Sequence, residues 1–166
     1  MPTLTARKAF EVPCGNAVIL ERNGEASLCL KAEREGNDYI HHYLVTLDPL
    51  RDEGPELIYI DPEDSVIDCG GTFSFAMTEG GEGGQTASEK AGIGDIFKNN
   101  GGLFLKLKED PKSQKMFAFI DIATGKMKHR QERGVSAVYQ EWRVTGLGED
   151  GTVSFLEIRE AHRLLG

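Results

Sequence analysis

Four histidines, three cysteines and 27 acidic residues are the material from which this chain could build acid–base, nucleophilic or metal chemistry. Their spacing decides how much of that chemistry is legible. His41 and His42 are adjacent, and neighbouring side chains on a strand point to opposite faces, so the pair cannot serve one site. Of the two, one imidazole is expected at a core or interface position and the other in solvent. His129 stands among Lys126, Lys128, Arg130 and Arg133 in what reads as a solvated basic arm, and His162 falls near the chain's end. Cys14, Cys29 and Cys69 are odd in number and have no Cys-x-x-Cys spacing, which suits reduced, structural thiols. There is no Gly-x-Ser-x-Gly nucleophile elbow and no Gly-Lys-Ser/Thr phosphate loop, and Gly92-x-Gly94 lacks the third glycine of a dinucleotide fingerprint. Acid pairs such as Glu63-Asp64 and Glu109-Asp110 sit beside prolines in expected turns. No catalytic residue, metal ligand or cofactor is assigned on these grounds.

Residues 149–157, Glu-Asp-Gly-Thr-Val-Ser-Phe-Leu-Glu, resemble the second half of an EF-hand calcium loop, with Gly151 at the turn and Glu157 at the bidentate position. The first half departs from that pattern, because Gly146 and Gly148 occupy the places of two acidic ligands and the preceding segment is strand-like. A hairpin turn is expected here, and no calcium function is carried over.

The elements that must position any site read almost entirely as strands. Residues 16–22 and 25–32 flank Asn23-Gly24, the sequence of a type I′ hairpin turn. In the second arm Ala26, Leu28, Leu30 and Ala32 share one face. In residues 38–47, Tyr39, His41, Tyr43 and Val45 alternate with Ile40, His42, Leu44 and Thr46. Further strands are expected at 57–60, at 72–78 with Phe73, Phe75 and Met77 inward, around Leu103, Leu105 and Leu107, at 116–122, in a polar arm at 126–133, at 135–145, and at 153–158. About nine or ten short strands separated by turn signals imply an all-β fold, an antiparallel sandwich or barrel. One short C-terminal helix is expected over residues 156–165. A length of 166 residues fits a single domain, 1–166, with a core of its own.

Half of the chain's 20 glycines fall within residues 70–102. Ordering roughly 20 such residues would cost on the order of 20–40 kcal/mol of backbone entropy. Residues 79–102 are therefore expected to form a mobile Gly-rich insertion loop, able to adapt to a contact.

The net charge of −8 disfavours nucleic acid and anionic membrane as partners. No apolar run is long enough for a spanning helix, and a cytoplasmic setting is expected. Charge is nevertheless uneven: residues 48–68 hold eight acids and one base, whereas 98–133 hold nine bases and four acids. One tryptophan and four tyrosines are too few to imply an aromatic platform for stacking sugars or bases. The sequence thus implies a non-catalytic β domain that acts by binding itself or another protein, with contacts from Lys126, Lys128, Arg130, Arg133, His41 and Trp142. A barrel holding a small apolar molecule, lined by Phe73, Phe75, Met77, Phe117, Phe119 and Trp142, is the second expectation. An enzyme whose site is assembled from distant strands is the third.

Overall fold

The structure, a computed structural model, describes residues 5–47, 55–71, 73–77, 93–99, 102–108, 117–128, 137–139 and 142–145. In chain order the first strands are β1 (Thr5–Lys8), β2 (Ala17–Arg22), β3 (Glu25–Glu35), β4 (Ile40–Thr46), β5 (Leu57–Tyr59), β6 (Ser65–Asp68) and β7 (Ser74–Met77). Then come β8 (Ile96–Asn99), β9 (Gly102–Lys108), β10 (Phe117–Asp121), β11 (Met127–Lys128), β12 (Ala137–Tyr139) and β13 (Trp142–Thr145). A 3-10 turn, Ala9–Glu11, follows β1.

These strands form an all-β fold of two main antiparallel sheets. One has six strands in the order β1-β6-β2-β3-β4-β5, the other five in the order β11-β10-β9-β8-β12, and β13 pairs with β7 as a separate ribbon. The hairpin between β2 and β3 turns at Asn23 and Gly24, both with positive φ (54° and 77°), as the Asn-Gly dipeptide requires.

The main core lies between the sheets. Ile19, Leu28, Leu30 and Val45 of the first sheet meet Ile96, Leu105, Leu107 and Ile120 of the second. The opposite face of the six-stranded sheet is also apolar. There Val18, Leu20, Cys29, Leu44 and Val66 form a second cluster, closed by Ala9 and Val12 from the 3-10 turn and its exit. The outer face of the five-stranded sheet carries a third cluster, Phe97, Phe104 and Phe119. Burial on both faces explains the unbroken Ala-Val-Ile-Leu run of β2, all four residues being buried.

Three expectations about elements need correction. Residues 79–102 are not all loop: β8 lies inside them, hydrogen-bonded between β9 and β12. Ile96 and Phe97, both without solvent exposure, fill the cores on its two faces, and surrounding glycines hide that four-residue signal. Of the rest of that stretch, 79–92 and 100–101 lie outside the described residues. The single strand expected over 135–145 is two, because β12 pairs with β8 and β13 with β7. β1 and β6 were not expected, and the described strands number thirteen. The expected C-terminal helix and the hairpin at 149–157 lie outside the described residues, as do Arg130 and Arg133. Among the described residues no helix is long and apolar enough to cross a membrane.

The sheets are joined where the β10–β11 turn meets β3. The Glu33 amide donates to Gly125 O at 3.0 Å, and Glu33 and Lys126 form a parallel bridge. Gly125 has φ of +72°, and a Cβ there would strike the Lys31 carbonyl, the Gly15 amide and Cys14 Sγ. Gly24 has a similar φ of +77° but open space around it. Gly125→Ala is expected to lower the stability by about 2–4 kcal/mol, adding collision to backbone strain. Gly24→Ala should cost only the strain, about 1–2 kcal/mol. Urea unfolding of the two variants measures the difference.

Candidate functional site

Two groups of side chains on the six-stranded sheet stand apart from simple packing. They lie on opposite faces of β4, because His42 and His41 are successive residues of that strand.

The first is a charged cluster around Lys31. The Lys31 side chain has no solvent exposure. Taking an ammonium out of water costs several kcal/mol unless its donors are satisfied. Its Nζ donates to Val12 O at 3.2 Å, lies 3.0 Å from His42 Nδ1, and is 3.7 Å from Glu33 Oε1. Glu33 also receives Lys126, whose Nζ reaches Oε2 at 3.1 Å from the second sheet's turn. His42 Nδ1 is 3.6 Å from Glu33 Oε1.

The geometry sets the protonation of each member. Burial lowers the Lys31 ammonium from its ordinary value, against the pull of Glu33. Burial lowers His42 as well, and the charge of Lys31 adds to it. For Glu33 burial acts upward, but the hydrogen bond from Lys126 and the charge of Lys31 outweigh it and hold the carboxyl low. Burial, with Glu33 nearby, pushes the Cys14 thiol up to about 11, so it is a poor nucleophile at neutral pH. Such a network can hold or move a proton, but its amine is sealed from solvent. Cys14, Cys29 and Cys69 are all thiols rather than halves of disulfides. Among the described residues no group of three or more His, Cys, Asp and Glu is arranged to hold a metal ion.

The second group is a row of four rings on the other face of β4. Tyr39, His41 and Tyr43 follow one another at the two-residue period of the strand, and Tyr43 is directly opposite Tyr59 of β5. Ring centroids are 4.5 Å apart for Tyr39 and His41, 6.2 Å for His41 and Tyr43, and 5.1 Å for Tyr43 and Tyr59. Tyr43 is buried and anchors the row in the core, whereas Tyr39 and Tyr59 are 66% and 65% exposed. Gly36 of the β3–β4 turn leaves room for the His41 imidazole, since a Cβ there would lie 3.2 Å from its ring and 2.7 Å from Tyr39 O. Three of the chain's four tyrosines thus gather in one place. The number of tyrosines does not reveal this grouping, which β4–β5 pairing produces.

Among the described contact candidates, no common surface forms. His41 lies in the ring row. Lys126 is paired with Glu33. Lys128 places its Nζ 5.2 Å from the Phe104 ring on the outer face of the second sheet. Trp142 donates from Nε1 to Gly94 O at 2.7 Å and packs on Phe75, so it ties β13 to the turn before β8. The residues expected to line an apolar cavity also divide: Phe73, Phe75, Met77 and Trp142 pack on the central core, Phe117 and Phe119 on the outer Phe cluster. The acidic stretch is partly neutralised from within, by Lys8–Glu63, Arg22–Asp64 and Arg7–Asp68 pairs of 3.0, 2.8 and 3.0 Å. Sequence reasoning missed Lys31, because the alternation that puts Leu28, Leu30 and Ala32 on one face does not show that the other face is covered as well.

Compared with models of protein families, with curated proteins and with solved structures, the chain matches none.

Lys31→Met is expected to destabilise the fold by about 1–3 kcal/mol, since the Val12 carbonyl and His42 Nδ1 lose their donor. Lys126→Met should cost well under 1 kcal/mol, its side chain being about half exposed. Denaturant midpoints at pH 7.5 separate the two.

Proposed function

We propose that this protein is a binding module that docks a short, proline-rich segment of another protein on the Tyr39–His41–Tyr43–Tyr59 row. The observation that carries this reading is the exposure of Tyr39 and Tyr59, about two thirds each, on rings already held in place by the buried Tyr43. Tyrosine supplies contact area with little side-chain entropy to lose, and its hydroxyl can pair with a peptide carbonyl.

The choice of partner follows from shape. The exposed ring surface is on the order of 300–400 Å², below the roughly 800 Å² per partner of a stable interface between folded domains. A second copy of this chain is therefore a poor fit, and a short segment a good one. Addition of a strand is discouraged: β5 is three residues long and bounded by Pro55 and Pro62. A polyproline II segment needs no strand partner. It presents flat rings to aromatic side chains and arrives already ordered. The internally paired acids and the division of the basic candidates favour this row over the charged segments as the contact surface. Reduced thiols suit a cytoplasmic setting for such a module.

The test is fluorescence anisotropy with a labelled octaproline peptide and a Gly-Ser peptide of equal length. Binding in the range of about 10–500 μM is expected for octaproline alone. Tyr39→Ala and Tyr59→Ala should each weaken it about tenfold with unchanged circular dichroism. Absence of octaproline binding, or binding indifferent to both substitutions, overturns the proposal.

A further inference from the structure

The Lys31 cluster is not used by the ring row and faces the other way. It lies under residues 12–16, the segment that carries the chain from the 3-10 turn into β2. That segment is held to β3 by Lys31 Nζ to Val12 O at 3.2 Å, Gly15 N to Lys31 O at 2.8 Å, Lys31 N to Asn16 O at 2.8 Å, and a hydrogen bond from the Cys14 thiol to Glu33. The two backbone pairs do not depend on a charge.

An ammonium has three donors and no acceptor. His42 Nδ1, 3.0 Å from it, must therefore present a lone pair, which makes His42 neutral with its proton on Nε2. A proton added at Nδ1 replaces an acceptor by a donor and sets a second positive charge against the fully buried Lys31 ammonium, on a ring that is itself about one third exposed. The surroundings offer little relief. Glu33 is the one carboxylate within ion-pair distance of His42 among the described residues, and it is already shared between Lys31 and Lys126. His41, on the same strand, and Lys126, on the facing turn, both act against a further positive charge. Cys14, from the segment itself, stays a neutral thiol. With His42 lost as an acceptor, Lys31 is drawn towards Glu33 Oε1, 3.7 Å away.

We infer that the Lys31–His42 contact is a proton-operated latch: protonation of His42 withdraws the Lys31 ammonium from Val12 O and frees residues 12–16 from β3. Freeing them uncovers the end of the apolar cluster that Val12 closes, together with the Cys14 thiol. The latched form holds the His42 proton less tightly than the open form. Each step of pH below histidine's ordinary value of about 6.5 therefore favours opening, until His42 is protonated in both forms. Glu33 does not share this window, because its carboxyl lies below the usual carboxylate range.

Hydrogen exchange of the intact protein at residue resolution, corrected for the intrinsic effect of pH, tests the latch. Between pH 7.5 and 5.5 the amides of Gly15 and Lys31 should lose protection about tenfold, while those of β9 and β10 stay unchanged. In His42→Gln, whose amide oxygen can accept from Lys31 at every pH, protection should hold across the range. In Lys31→Met the pH dependence should also vanish, whatever the level of protection. Unchanged wild-type protection would mean that the imidazole turns outward while the segment stays seated, and would overturn the latch. An equal loss in His42→Gln would assign the effect to another group and overturn it as well.

Discussion

The structure depends on a single uncomfortable constraint: β3 is buried on both faces, yet carries a lysine in its middle. Leu28, Leu30 and Ala32 fill the core between the sheets, and Cys29 belongs to the cluster on the other side. Lys31 shares the face of Cys29 and has nowhere to reach water. Its charge is tolerated because two remote parts of the chain converge on it, the segment after the 3-10 turn and His42 of the next strand, beside Glu33 of its own strand, which is steadied by Lys126 from the second sheet. The same place is where the two sheets are hydrogen-bonded to each other. Only a glycine fits at 125, between the Lys31 carbonyl, the Gly15 amide and Cys14. Removing water from Lys31 and joining the two sheets are therefore one structural event.

The two-residue period of β4 separates two kinds of chemistry along one strand. His42 turns to the charged cluster, and His41 turns to the tyrosines on the opposite face. Neither histidine can substitute for the other, and a proton gained by one does not have to pass through the other. Much of the remaining surface charge is committed locally. Lys128 lies over Phe104 at 5.2 Å from the ring centroid, worth about 0.5–1 kcal/mol where exposed, and the buried Lys106 lies 4.6 Å from the Phe117 centroid. Arg7, Lys8 and Arg22 meet the acids of β6 and the turn before it. Such pairing leaves the aromatic row as the most conspicuous apolar feature exposed on the described surface.

How much of this was legible differs from element to element. The Asn23-Gly24 hairpin, the alternation of β4 and the Leu103, Leu105, Leu107 face of β9 could be read directly, because each is a local pattern with one physical cause. β8 could not, since four residues among glycines are too short a signal. Nor could the division of residues 135–145 between two sheets, because alternation does not reveal which neighbour a strand will choose. The face of Tyr39, His41 and Tyr43 was visible, but the fourth ring was not. Tyr59 joins the row only through the pairing of β4 with β5, across a stretch of sequence that says nothing of its register.

By itself, then, the sequence determined the fold class, the main hairpin and the faces on which apolar residues gather, because hydrophobic period and turn chemistry act over a few residues. Tertiary structure alone decided that both faces of β3 are covered, that Lys31 is sealed beneath residues 12–16, and that three tyrosines stand together. Those outcomes depend on which strands become neighbours, and each involves a contact between residues ten or more positions apart. Burial of a second face is a property of the whole sheet, and no single strand can announce it.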